Sequence, residues 1–266
     1  TGLELLEELE KHKEVTSRVV IYSTRADESA KETMTALEHG AFDFIKKPDN
    51  LIQARGSLFH DNLMAVLEVA AEAKSAEVKK LAEQKPVKPV VTVKQQVAPP
   101  SSIEKVPPKK GTGNKIIALA CSTGGPKTLQ SVIPYLPKDL DAPMVLVQHM
   151  PAGFTNSLAE RLNDMSKIQV KEAVNGEILV KGTVYIAPGG KHLKVVGTTP
   201  KIEISDEPPR DALKPCANIM YESLVDSKYD EIVCVVLTGM GADGTAGIQA
   251  LKGKKKIYVI AQDEAT

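Results

Sequence analysis

Apolar positions follow two recurring patterns along this chain. Near its start, Leu3, Leu5, Leu6 and Leu9 place an apolar stripe on a predicted helix. The run Arg-Val-Val-Ile-Tyr at 18–22 is suited to a buried parallel strand. A helix over about 27–38 follows and ends at Gly40, a natural residue for leaving a helix with positive φ. A second strand is predicted over 42–45, stopping at Lys47-Pro48, and a further helix from about Leu51 into the 70s. From residue 114 on, continuous apolar runs fall at 115–121, 144–149, 183–187, 231–238 and 256–261. Helical segments are predicted between them at 127–136, 154–165, 217–226 and 245–252. Strands apolar on both faces and separated by helices predict an α/β fold, a doubly wound, mostly parallel, Rossmann-like sheet. The section 167–205 is rich in β-formers and carries Asn175-Gly176 and Gly189-Gly190 turns. It reads as an antiparallel addition.

Between these halves the pattern fails. Residues 73–113 contain Pro86, Pro89, Pro99, Pro100, Pro107 and Pro108, many lysines and no aromatic side chain. The first part can continue a charged helix; the rest offers too little apolar surface to offset the entropy of ordering it. Proline makes such a stretch extended and fairly stiff. The expected organisation is a domain at 1–72, a linker at 73–113 and a second domain at 114–266.

Composition narrows the function classes. Lys and Arg total 34, as do Asp and Glu, and this balance argues against a dedicated nucleic-acid or membrane-surface binder. Hydrophobic residues make up 42% of the chain, enough for a sizeable core and too many for a mostly disordered protein. Cys121, Cys216 and Cys234 are too scattered for a disulfide framework or a zinc site, and read as reduced, buried thiols. The first residues lack the basic and apolar regions of a signal peptide, and no apolar run reaches the length of a membrane span. The expectation is a cytoplasmic protein without membrane insertion.

In an open α/β sheet, ligands bind beyond the carboxyl ends of the strands. Ser122-Thr123-Gly124-Gly125-Pro126 follows the run at 115–121, His149 ends the run at 144–149, and Thr238-Gly239-Met240-Gly241-Ala242-Asp243-Gly244 closes the run at 231–238. Each piece alone has a plain structural reading: Ser122 as a helix cap or part of a phosphate-cradling loop, His149 as a structural histidine, Asp243 as a turn residue. Together, Ser, His and Asp at strand ends sharing one edge form the set that activates a hydroxyl nucleophile. The order Ser, His, Asp differs from that of α/β-hydrolases, and the G-x-S-x-G elbow is absent because Ala120 stands two residues before the serine. A phosphate- or nucleotide-binding module without hydrolase activity is the alternative, although no G-x-x-x-x-G-K-[ST] motif is present.

The runs ACSTGGP, VLVQHMPAGFT, VYIAPGGKH and VVLTGMGADGTAG resemble the catalytic domain of the chemotaxis protein-glutamate methylesterase family over essentially all of 114–266. The resemblance implies Ser122 as nucleophile, His149 as general base and Asp243 as the carboxylate orienting the imidazole. It also implies that the Met240 amide serves the oxyanion, with Thr123 and Gly241 lining the active site. The activity implied is hydrolysis of glutamyl methyl esters on methyl-accepting chemoreceptors, releasing methanol, with a related glutamine deamidation and no cofactor. Residues 1–50 resemble the second half of a flavodoxin-like response-regulator receiver domain, with Ser23 and Lys47 matching its switch hydroxyl and signalling lysine. That implies a chemotaxis histidine kinase as phosphodonor, a receiver that covers the active site, and Mg²⁺ only for phosphorylation of an intact receiver.

Several positions depart from the family pattern. Cys121 stands where a small residue is usual, and a thiol there invites confusion with the nucleophile. The segment Leu-Lys-Pro-Cys-Ala-Asn at 213–218 resembles one that usually carries Arg-Pro-Ser and an Asp; Lys214, Cys216 and Asn218 take those places. His192, in a predicted hairpin, is expected only to line the cleft. Thr1–Glu4 resembles the start of the helix that follows a receiver's phosphorylation loop, and the chain ends before the strand and helix that close the family's sheet. The expectation is therefore a fragment that lacks the phosphoacceptor Asp.

Overall fold

The computed structural model describes residues 2–12, 17–23, 28–82 and 114–263. The first segment contains α1 (Gly2–Lys11), β1 (Val20–Ser23), α2 (Glu28–Glu38), β2 (Asp43–Lys46), α3 (Leu51–Ala54) and α4 (Ser57–Ala82). β1 and β2 pair in parallel, Val20 with Asp43 through Ser23 with Lys46. The predicted single helix from Leu51 is two, separated at Arg55-Gly56. Asn50 caps the first, its side-chain oxygen accepting from the Gln53 N–H. α4 continues without a break across the boundary expected at 72. The remainder of the expected linker, 83–113, lies outside the described residues.

The second segment contains β3 (Lys115–Cys121), α5 (Gly125–Val132), a 3₁₀ turn (Ile133–Tyr135), β4 (Met144–Gln148), α6 (Phe154–Met165), β5 (Gln169–Glu172), β6 (Thr183–Ile186), β7 (His192–Val196), β8 (Lys201–Ser205), α7 (Ala217–Ser223), β9 (Glu231–Val236), α8 (Thr245–Leu251) and β10 (Lys256–Ala261). Six of these strands form one sheet in the order β10-β9-β3-β4-β6-β5, and every pairing in it is parallel.

One expectation needs correction. The antiparallel addition is only the hairpin β7–β8, while β5 and β6 belong to the parallel sheet. β5 sits at the sheet edge with a single fully buried residue, Val170, so its half-polar sequence mimics an antiparallel strand.

β3, β4 and β6 are buried on both faces, whereas the edge strand β10 is largely exposed. Leu119 and Cys121 pack under α5 and α6 with Leu129, Phe154 and Leu158. The alternate residues Ile116, Ala118 and Ala120 pack on the other face with Met220, Tyr221 and Cys234. The first cluster also runs into the N-terminal segment through Leu6, Met34, Leu37, Ala41 and Phe44. There Phe44 stacks on Phe154 with ring centres 4.6 Å apart, and Glu38 pairs with Arg161.

Candidate active site

Chain order reverses between β3 and β9. From β3 the sheet builds one way through β4 and the other way through β9. Loops on either side of such a switch point separate and leave a crevice at the carboxyl ends of the strands. Ser122 follows β3, His149 follows β4, and Asp243 lies in the loop after β9. Main-chain bonds fix these ends: the Ser122 N–H donates to Thr238 O (2.9 Å), and the His149 N–H to Cys121 O (3.2 Å).

The three side chains meet. Ser122 Oγ lies 3.0 Å from His149 Nδ1, and His149 Nε2 lies 2.8 Å from Asp243 Oδ2. An ionised carboxylate can only accept, so Nε2 carries the imidazole proton and Nδ1 accepts from the Ser122 hydroxyl. The ring is therefore turned end for end relative to the common arrangement, in which Nε2 faces the serine.

Asp243 is held from several sides. Besides His149 it accepts from the Ala217 N–H (2.6 Å), the Asn218 N–H (2.8 Å) and the Cys216 thiol (3.1 Å). Burial would raise its pKa, but these donors outweigh it and hold the carboxyl well below the usual carboxylate range. It stays charged at any pH where an imidazole is neutral. Asn218 also ties down the chain beyond Asp243, its Oδ1 accepting from the Gly244 N–H (3.0 Å) and the Gly247 N–H (2.8 Å).

Gln148, buried in β4, supports the serine. Its Nε2 donates to Ser122 O (2.9 Å), and its Oε1 accepts from the Cys121 thiol (2.9 Å). A Cβ on Gly125 would stand 2.0 Å from that Oε1, and one on Gly239 would stand 2.7 Å from Ser122 Cβ. Both positions require glycine for close approach. Cys121 faces inward, and burial pushes its thiol far above the ordinary range. Burial and a retained proton both disfavour it as a nucleophile.

Ser122, Thr123, His149 and Met240 line one cavity of about 430 Å³. Gly241 follows with φ +88°. The opposite wall comes from the N-terminal segment, with Asp43, Phe44, Ile45, Lys46 and Phe59, and Lys214 closes another side. Ser23 and Lys47 are adjacent at the ends of β1 and β2, the Lys47 N–H donating to Ser23 O (2.6 Å), and neither lines this cavity. Lys47 Nζ sits 5.1 Å over the Tyr22 ring. His192 does not line the cleft either. It is fully buried in β7, its Nε2 donating to Pro208 O (3.1 Å).

The sequence alone points to no role for Gln148, Asn218, Cys216 or Asp43. For the first two a signal existed: Gln148 ends an otherwise apolar buried strand, and Asn218 is a polar residue on the buried side of α7. Among the described residues, no group of three or more His, Cys, Asp or Glu side chains is arranged to hold a metal ion.

Residues 117–266 match the family model for the CheB methylesterase domain. The chain belongs to the CheB methylesterase family. It is 43% identical over 250 residues to the protein-glutamate methylesterase/protein-glutamine glutaminase of Bacillus subtilis, a match covering 92% of this chain and 68% of the relative. The enzyme of the same name from Archaeoglobus fulgidus is 36% identical over 248 residues, covering 92% of this chain and 67% of that one. The crystal structure of the Thermotoga maritima CheB methylesterase catalytic domain superposes with a TM-score of 0.54 at 40% identity, covering 57% of this chain and 80% of that chain. Fold and family thus agree on an α/β hydrolytic domain. No helix among the described residues is long and apolar enough to cross a membrane.

Proposed function

We propose that this chain hydrolyses γ-methyl esters of glutamyl residues on chemoreceptors, releasing methanol, and deamidates receptor glutamines by the same chemistry. The observation that carries this reading is the hydrogen-bonded series Ser122, His149, Asp243 at the sheet's switch point in a CheB methylesterase-family chain.

Ser122 Oγ attacks the γ-carbonyl carbon while His149 Nδ1 takes its proton. The tetrahedral intermediate collapses as His149 returns that proton to the departing methoxy oxygen, giving methanol and an acyl-serine. Water then attacks the acyl carbon, passes a proton to His149 and regenerates the Ser122 hydroxyl with a glutamate product. With a glutamine substrate, ammonia leaves in place of methanol. Asp243, fixed by Ala217, Asn218 and Cys216, holds the Nε2–H tautomer and stabilises the imidazolium. The Met240 amide serves as an oxyanion donor, and Thr123 and Gly241 shape the cavity. This chemistry uses side chains and main-chain amides and calls for no cofactor.

The N-terminal segment acts as a receiver-derived cover of this site. In the whole protein a cytoplasmic histidine kinase phosphorylates the receiver with Mg²⁺, and Ser23 and Lys47 relay that event to the interface. The wall that Asp43 to Lys46 contribute to the Ser122 cavity supports this reading. A nucleotide-binding module without hydrolase activity is not favoured, since the family is an esterase family.

The test uses receptor-derived peptides carrying γ-methyl glutamate or glutamine, followed by mass spectrometry of the product. Conversion of both to glutamate by the full chain is expected. Failure to convert the methyl ester refutes the proposal.

A further inference from the structure

Asp43 is a charged residue where an apolar cover would suffice. It lies within β2, one position before the Phe44 that stacks on Phe154, and is only 5% exposed. Taking a carboxyl group out of water is costly unless its oxygens find donors. Both do. Oδ1 accepts from the Phe44 N–H (2.8 Å) within its own strand, and Oδ2 accepts from the Gly124 N–H (2.9 Å) across the interface.

Gly124 stands two residues beyond the nucleophile and precedes α5. Its φ is +75°, and as the N-cap of α5 it has no side chain with which to cap the helix. Its amide is thus held by a foreign carboxyl group beside the cavity that contains Ser122, His149 and Met240. The carboxyl group of Asp43 is chemically the γ-carboxyl group of the glutamate that ester hydrolysis leaves behind, carried on a shorter stem.

We propose that the Gly124 N–H is a donor to the γ-carbonyl oxygen of the substrate and the γ-carboxylate of the product, and that Asp43 fills this subsite as an internal product mimic. The inference rests on the esterase reading above. Contact between Phe44 and Phe154 alone would cover the site by bulk, whereas Asp43 competes with the substrate for a specific donor. A tethered competitor acts at a high effective concentration, so a free carboxylate must be supplied in excess to displace it.

The test follows the Gly124 amide resonance in the ¹⁵N-labelled full chain during titration with N-acetylglutamate. In Asp43→Ala the resonance should shift with probe. In the wild type the same shift should need at least tenfold more. Asp43→Asn keeps the shape of the side chain and turns its NH₂ toward one of the two main-chain donors; it should titrate between the two, and it serves if Asp43→Ala fails to fold. A Gly124 amide that does not respond in either variant, or that titrates identically in wild type and variants, overturns the proposal. Binding is read without turnover. A responsive Gly124 in a chain that hydrolyses no ester therefore sinks the esterase reading and leaves the subsite, while ester hydrolysis with a silent Gly124 sinks the subsite alone.

Discussion

Replacing Asn218 with Ala removes one oxygen that accepts two buried main-chain donors, the Gly244 N–H at 3.0 Å and the Gly247 N–H at 2.8 Å. Asn218 is 6% exposed, and the α7–α8 contact is tight: a Cβ on Gly247 would lie 2.8 Å from Asn218 O and 2.6 Å from Tyr221 Cβ. A buried donor left without an acceptor costs about 1–3 kcal/mol. Two of them put the expected loss at about 2–6 kcal/mol, a large share of the roughly 5–15 kcal/mol that holds a domain together. Because Gly244 directly follows Asp243, the same change loosens the carboxylate that orients His149, and a misplacement of about 1 Å costs on the order of 10²-fold in rate. Urea unfolding and methyl-ester turnover, both measured where the variant is still folded, report the two effects separately. Asn218→Asp presents an oxygen to the same two amides and should recover most of both. An Asn218→Ala protein within about 0.5 kcal/mol of wild type and with unchanged turnover would refute the reasoning, since surface-like substitutions fall in that range.

Three further outcomes are expected. Cys121→Ala should keep most of the turnover, and Cys121 should resist thiol reagents in the folded chain, because burial raises its thiol far above neutral pH; rapid labelling or lost activity would contradict this. Gly125→Ala should destabilise the chain and slow turnover, because the new methyl would collide with Gln148 Oε1 and disturb the Gln148 bond to Ser122 O; unaltered kinetics would show that Gln148 does not position Ser122. Burial pushes the Asp43 carboxyl up to about 6 despite its bonds to Gly124 and Phe44, so its charged form is disfavoured in the docked structure. Its favourable contribution is complete below the ordinary carboxylate value of 3.8 and is lost as pH rises through about 6, a difference of about 3 kcal/mol at most. Lys46, His149 and Lys214 line the same cavity, so the difference in urea stability between wild type and Asp43→Asn across pH 4–8 isolates the Asp43 contribution. A flat difference would contradict it.

The proposed catalytic residues are legible because continuous apolar runs mark parallel strands, and in such a sheet the residue after each run faces one shared edge. Ser122, His149 and Asp243 could be found by looking there. β5 resembles an antiparallel strand in sequence because an edge strand exposes one face and alternates like a hairpin strand, although its backbone pairs in parallel with β6. The supporting residues were harder to see. Cys216 and Asn218 act on Asp243 from about 25 positions away in sequence, and no local pattern in Leu-Lys-Pro-Cys-Ala-Asn announces a carboxylate to be held. Asp43 bonds to Gly124 across 81 positions, a contact that exists only once two separate segments pack together.

The most direct test is methanol release from chemoreceptors carrying labelled glutamyl methyl esters, comparing the full chain with Ser122→Ala. Loss of a serine nucleophile from a working triad lowers turnover by on the order of 10⁶-fold. The account predicts release by the wild-type chain and a fall of that order in a variant that still folds. Undiminished release from Ser122→Ala would contradict it.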